Sequence, residues 1–403
     1  MNQSNNFFGQ HLFSQVTRLC TRSILNPVFQ GIKANRYYKK LKCYEHLMGM
    51  LYCVLSGCTT LREIEAGLAV ADGKLRHLGL DYVPPRSTLS DGNKKRSSDV
   101  FKSVYEHLYK TYKPSLSDST LPKAILQKLF LLDSTVFGLF KAILKTSGRH
   151  SMNGKKKGGI KKNTVIEGLT LMPSFIEFNA AADNDQQVFK ALKLPSGSFV
   201  VFDKGYNNYR QFAAFNASDI TFITRQKENA VFKSLTECLH DNSSANEILK
   251  EEIIEVNYTN ETGQSCTLKL RRIAWWDEAG QRAYEFITND FELDATIIAQ
   301  LYRYRWQIEL FFKKLKQNFP LQYFVGDNQN AIEIQIWCSL IALLLTSVLH
   351  SQHKSKMAFS VFITVLRLHL FNYIALADLL QFYEQKRYKR RKKSSVPELF
   401  SSA

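Results

Sequence analysis

Three carboxylates stand where acidic side chains are hard to place. Asp133 follows the apolar run LFLL and Asp203 follows FVVF. Burying a lone carboxylate costs several kcal/mol unless a cation or hydrogen bonds compensate it. For either aspartate alone, a turn residue or helix cap is an equal reading. Two of them on neighbouring strands favour a metal site. Neither has a nearby histidine or cysteine, and oxygen donors alone suit Mg²⁺ or Mn²⁺ rather than zinc.

The third carboxylate lies in LYRYRWQIELFFKKLKQNF, Leu301 to Phe319. At about 100° per residue, Tyr302, Arg305, Glu309 and Lys316 fall within an arc of roughly 60° on one helix. Ile308, Phe311, Phe312 and Leu315 take the adjoining arc and should pack on a sheet. A charged stripe beside a core face is ordinarily a solvated surface with i, i+4 pairs. Beside Asp133 and Asp203, Glu309 can instead be the third ligand of a metal site.

The elements around these residues define the architecture. From Lys128 onward, strand-like runs (KLFLLDSTVFGLF, TVIEGLTLM, SFIEFNAA, GSFVVFD, DITFITRQ) alternate with helical ones such as NDQQVFKALKL and NNYRQFAAF. That alternation predicts an α/β domain with a mixed sheet. Threonine, valine and isoleucine enrich about 227–289, which predicts a β-rich insertion. A helix from about Asp294 to Gln317 follows. Residues 1–120 read as a helical region for DNA binding or dimerisation, 121–385 as the catalytic domain and 386–403 as a mobile basic tail. Thr59 or Thr60 can cap the helix in TTLREIEAGLAV, and Pro84 and Pro85 break the chain before the next. The basic NKKRSS between short helices suits either a helix-turn-helix-like DNA contact or a bundle that only packs. GRHSMNGKKKGGIKKN, Gly148 to Asn163, reads as a basic loop.

The chain has 403 residues, 45% of them hydrophobic, and a net charge of +18. The composition is globular, and the charge favours a polyanionic partner. The 7 cysteines, Cys238 among them, form no C-x-x-C pair and no zinc pattern, which suits a reducing cytosol. MNQSNNFFGQHLFSQ has no signal-peptide pattern. The longest apolar run, Ile336 to Leu349, is short for a bilayer span and reads as a buried core helix.

Together LLDST around Asp133, FDKGY around Asp203 and YRYRWQIELFFKKLKQ resemble the DDE transposases of the insertion-sequence-4 type. Tyr302, Arg305, Glu309 and Lys316 meet the Y-(2)-R-(3)-E-(6)-K spacing of that family. TRQK, FITND, NAIEIQIW and the N-terminal TLREIEAGL…PPRSTLSDGNKKR extend the likeness from about Gln10 to Leu345. One departure is Lys314, where relatives often have an aromatic residue.

The resemblance implies a ribonuclease-H-like α/β core. Its first aspartate sits on the first strand and its second just after the fourth. Its glutamate sits on a later helix, beyond a β-rich insertion. It implies two Mg²⁺ or Mn²⁺ ions held by Asp133, Asp203 and Glu309, with cut-and-paste transposition of DNA as the reaction. Water would free a 3′-OH at the element end, and that hydroxyl would attack the opposite strand or target DNA. Arg305 and Lys316 would hold phosphates and Tyr302 a terminal phosphate, while Trp306 would either stack on a displaced base or pack in the core. Lys204 and Arg225 are further DNA-contact candidates. The expected partners are double-stranded DNA and a second copy of the chain in a homodimer. No membrane or small-molecule substrate is expected, and the expected location is the bacterial cytosol, on the nucleoid. A nuclease with the same site but no strand transfer, and a silent DNA-binding derivative, are the rivals.

Overall fold

The computed structural model describes residues 9–71, 73–116, 123–138, 159–180, 189, 192–237, 247–278, 280–319, 321 and 323–394. The chain divides into two compact units, one of residues 117–313 and one of residues 1–116 with 314–403. The expected 121–385 domain therefore differs from the folded unit, because its last helices join the N-terminal ones.

Among the described residues of the 117–313 unit, nine strands form one sheet in the order β3-β2-β1-β4-β5-β9-β8-β7-β6. They are β1 Leu129–Gly138, β2 Gly159–Glu167, β3 Pro173–Ala180, β4 Ser198–Phe202, β5 Ile220–Arg225, β6 Lys233–Glu237, β7 Ile248–Thr259, β8 Ser265–Asp277 and β9 Arg282–Thr288. β1 runs parallel to β4, and β4 to β5, while every other neighbouring pair is antiparallel. The fold is thus a mixed α/β sheet with a helical N-terminal region. The β-rich insertion is present as β6 to β9, and it extends the sheet rather than capping it, because β9 pairs with β5. Strands such as FVVF are buried almost throughout because parallel central strands are covered on both faces. Phe202, Phe212 and Phe222 make the aromatic centre of this core, with the Phe212 and Phe222 rings stacked at 4.1 Å.

Several expectations change in detail. Asp133 is not at the end of β1. That strand continues to Gly138 against β2, and it is the parallel partner β4 that stops beside it. The basic segment from Gly148 is described only from Gly159, where it is already strand β2 rather than loop, held by the antiparallel ladder to β1. Most of NDQQVFKALKL and Cys238 lie outside the described residues. The helix expected from Asp294 to Gln317 is two, Ala295–Tyr304 and Trp306–Asn318. At the joint, Arg305 N–H donates to the Tyr302 carbonyl and Ile308 N–H to the Arg305 carbonyl, both 3.0 Å. Those i→i−3 bonds tighten the path locally.

The other unit is helical. Thr60 accepts a hydrogen bond from the Glu63 N–H, and Glu63 accepts one from the Thr59 N–H at 2.7 Å. This is a reciprocal cap of the helix Leu61–Val70. Gln329–Gln352 is long and apolar enough to cross a bilayer, but 94% of its most apolar window is buried within the protein. It packs on the helices Cys43–Ser56 and Asp99–Tyr112 and is the core helix that its central run predicts. Lys314 sets its ammonium over the Phe359 ring at 3.6 Å, and burial lowers its pKa to about 8. The described part of the basic C-terminal run belongs to the helix Leu376–Ser394, and residues 395–403 lie outside the described residues. Its Gln, Lys and Arg residues are good helix formers, and cations suit a helix C-terminus.

Candidate active site

The register of two parallel strands brings the aspartates together. Leu132 pairs with Phe202, so Asp133, within β1, and Asp203, just past the end of β4, stand side by side on chains about 4.8 Å apart. Asp203 then caps the short 3₁₀ turn Lys204–Tyr206, and the Tyr206 N–H donates to its carbonyl at 3.0 Å.

Two contacts tie the helix Ala295–Tyr304 and its leading loop to the sheet, and one caps it. Tyr304 donates its hydroxyl to the Gly168 carbonyl at 3.0 Å. Asp294 caps the helix through the Thr296 N–H at 2.7 Å. Arg271, itself ion-paired with Glu251 at 2.6 Å, donates to the Leu293 carbonyl in the loop before it. The result delivers Tyr302, Arg305 and Glu309 to the aspartates. The Arg305 guanidinium donates to Asp133 at 3.2 Å through Nη1 and to Glu309 at 2.9 Å through Nη2. Arg225, from the end of β5, donates to Asp203 Oδ1 at 2.9 Å, and the Tyr302 hydroxyl lies 3.3 Å from the same oxygen.

The electrostatics follow. Burial alone would raise the Asp203 pKa, but the hydrogen bond and charge of Arg225, with the charge of Arg305, outweigh it and hold the carboxyl below its ordinary range. Burial pushes the Tyr302 phenol up to about 12, although both arginines pull the other way, so it remains a neutral donor at physiological pH.

Beside this cluster opens a cavity of about 560 Å³ lined by Arg225, Arg282, Tyr284, Tyr302, Arg305 and Trp306. Trp306 is 56% exposed, so it is a cavity wall and not a core residue. Arg225 belongs at the centre of the site, a stronger position than its sequence context indicated. Lys204 pairs at 3.0 Å with Glu228. Lys316 lies further along the helix Trp306–Asn318, within the other unit, and burial lowers its pKa. Sequence reasoning missed Arg282 and Tyr284, which come from β9 of the insertion. Their signal was the alternation in QRAYEFITND.

The donor chemistry fits a hard divalent cation, since all three carboxylates offer oxygen. Among the described residues, however, no three acidic, histidine or cysteine side chains converge as a ready-made metal cage. The Arg305 guanidinium lies between Asp133 and Glu309 and supplies the positive charge there.

Asp133 within β1, Asp203 just after β4 and Glu309 on a helix beyond the β6–β9 insertion keep the order that the sequence led us to expect. The chain belongs to the DDE transposase family: the model of the transposase DDE domain matches residues 126–345. A model described only as a domain of unknown function matches residues 8–81. The chain is 27% identical over 310 residues to y4zB of Sinorhizobium fredii, described as a transposase, covering 73% of this chain and 84% of that one. It is 28% identical over 271 residues to a Synechocystis protein described as the transposase of insertion element IS4SA, covering 65% of this chain and 71% of that one. Among solved structures, a piggyBac transposase synaptic complex with hairpin DNA aligns over 97% of this chain and 85% of its own at 9% identity and a TM-score of 0.41, too low to define the fold. Divalent-ion dependence is general to the DDE transposase family.

Proposed function

We propose that the protein cuts the ends of an insertion sequence and joins the freed 3′-OH ends to target DNA, with Asp133, Asp203 and Glu309 as its catalytic carboxylates. The observation that carries this is the convergence of Asp133 and Asp203 through the Leu132–Phe202 register, with Glu309 joined to Asp133 by one guanidinium. The strand order β3-β2-β1-β4-β5 with β1, β4 and β5 parallel, and the two aspartates on β1 and just after β4, support the ribonuclease-H-like reading of the core.

Asp133, Asp203 and Glu309 would hold two Mg²⁺ or Mn²⁺ ions. When bound, such ions lower the pKa of an attacking hydroxyl and stabilise the leaving 3′ oxygen. The chain's own groups do the rest. Arg305 and Arg225 are planar donors beside the carboxylates and suit bidentate phosphate contacts. Neutral Tyr302 donates to a terminal phosphate. Trp306 and Tyr284 offer faces for an unstacked base in the cavity. Lys316 and Lys204 bind the DNA backbone further out. The helical region of residues 1–120 supplies additional DNA contact, and two copies act on paired ends.

The test is a strand-transfer assay on candidate ends with Mg²⁺. Joined products support the reading. Cleavage without joining would favour a stand-alone nuclease, and binding without cleavage a silent derivative.

A further inference from the structure

The loop between the helices Arg22–Gly31 and Cys43–Ser56 lies within the segment of unknown function. From position 33 to 42 it reads KANRYYKKLK, with cations at Lys33, Arg36, Lys39, Lys40 and Lys42. All are exposed, and none makes an ion pair with a described residue. Five cations within ten residues repel one another where they lie close.

This loop is instead pinned from beneath. Arg96, only 1% exposed, donates to the Leu41 carbonyl at 2.5 Å and to His46 Nδ1 at 2.9 Å, and lies 4.1 Å from the Tyr38 ring centre. Burial and the Arg96 charge lower the His46 pKa to about 3. The neutral ring accepts from Arg96 and donates through Nε2 to Asn93 Oδ1 at 2.7 Å. Tyr82 donates to the Lys40 carbonyl at 2.5 Å, and Asn35 accepts from the Cys43 N–H at 2.7 Å. Lys33 and Tyr37 hold left-handed backbone, φ 49° and 75°. Non-glycine residues persist there only when their surroundings over-determine it. Tyr37 is 86% exposed, with the Arg36 guanidinium 5.0 Å from its ring centre. Lys94, exposed at the end of the helix Arg86–Lys95, lies two residues before the pin.

We infer that the loop 33–42 is a preformed site for the phosphate backbone of duplex DNA, held in shape by the buried Arg96–His46–Asn93 chain. Duplex DNA, at about one charge per 1.7 Å of axis, answers five exposed cations on a pinned backbone better than an acidic protein surface of scattered carboxylates would. The choice of DNA rests on the transposase reading.

The test uses the full chain, a short duplex of random sequence and no divalent ion, so that binding is read apart from cleavage. Arg36→Ala, Lys39→Ala and Lys40→Ala combined should make the log–log salt slope shallower by about 2.7, at about 0.9 per lost contact. The melting temperature should not change, since the three side chains are exposed. Arginine at positions 39 and 40 should preserve the slope. An unchanged slope in the triple variant overturns the inference. So does a slope that falls only on single-stranded DNA of equal length. A wild-type protein that binds but never cleaves in parallel Mg²⁺ reactions counts against the transposition chemistry, not against the loop.

Discussion

Leu132 faces Phe202 across two parallel strands, and this single pairing sets the two aspartates side by side. A one-residue slip would turn one of them to the opposite face of the sheet. The register is secured by burial, since Leu131, Leu132, Val200, Val201 and Phe202 are all fully buried.

Removing either aspartate should therefore remove chemistry and spare the fold. Asp133→Ala leaves Arg305 paired with Glu309, and Asp203→Asn keeps the shape of its side chain. Both variants should bind DNA and show no nicking. Activity should require Mg²⁺ or Mn²⁺, vanish in EDTA and fail with Ca²⁺, whose looser coordination suits the chemistry poorly. Robust nicking by Asp203→Asn, or in EDTA, would remove the two-ion assignment.

That Asp133, Asp203 and Glu309 would lie near one another was legible because each breaks a local rule: an aspartate after four apolar residues, and a charged stripe flanking a core face. The insertion was legible from its β-branched composition. The joint at Arg305 was not, because a uniform 100° rotation assumes an unbroken helix, and Tyr302 and Glu309 lie on opposite sides of that joint. Nor was the regrouping of the C-terminal helices with the N-terminal ones, because the apolar Gln329–Gln352 helix carries no mark of which partner it will cover. Arg225 looked peripheral because the contact that defines it spans 22 positions in sequence.

The Arg271–Glu251 pair supports the site from a distance. Both side chains are 7% exposed, and Arg271 also holds the loop before the helix Ala295–Tyr304. Glu251→Ala leaves a buried charge without its carboxylate and should cost about 3–5 kcal/mol. Urea denaturation measures this. A change under about 0.5 kcal/mol, the range of an ordinary surface substitution, would mean that the pair contributes nothing to the sheet.

Asp203 makes stability depend on pH in one direction. Its folded pKa lies below the ordinary 3.8, so the Arg225 contact stabilises the fold fully above that value. The contribution is lost as pH falls through the lower folded value. Arg225→Gln should lower the melting temperature at neutral pH. The gap from wild type should close in acid, below the ordinary carboxyl value. A gap that stays constant across that window would show that Arg225 acts through packing on Tyr302 and Tyr284 rather than through charge.

Glu309 is the sharpest test, because an ordinary solvated glutamate and a catalytic one predict opposite results. Glu309→Gln keeps an oxygen that can accept from Arg305 Nη2 and removes the charge. A surface residue so changed should alter stability by no more than about 0.5 kcal/mol and leave activity whole. A metal-holding carboxylate should show the same small stability change together with loss of nicking. DNA binding should hold or tighten, since a negative charge near phosphate is gone. Arg305→Gln should separate from it. Removing the cation between Asp133 and Glu309 should strengthen Mn²⁺ binding, read by direct titration, while nicking falls through loss of the phosphate contact. If Glu309→Gln nicks at the wild-type rate, the stripe is a solvated face and the site lacks its third carboxylate.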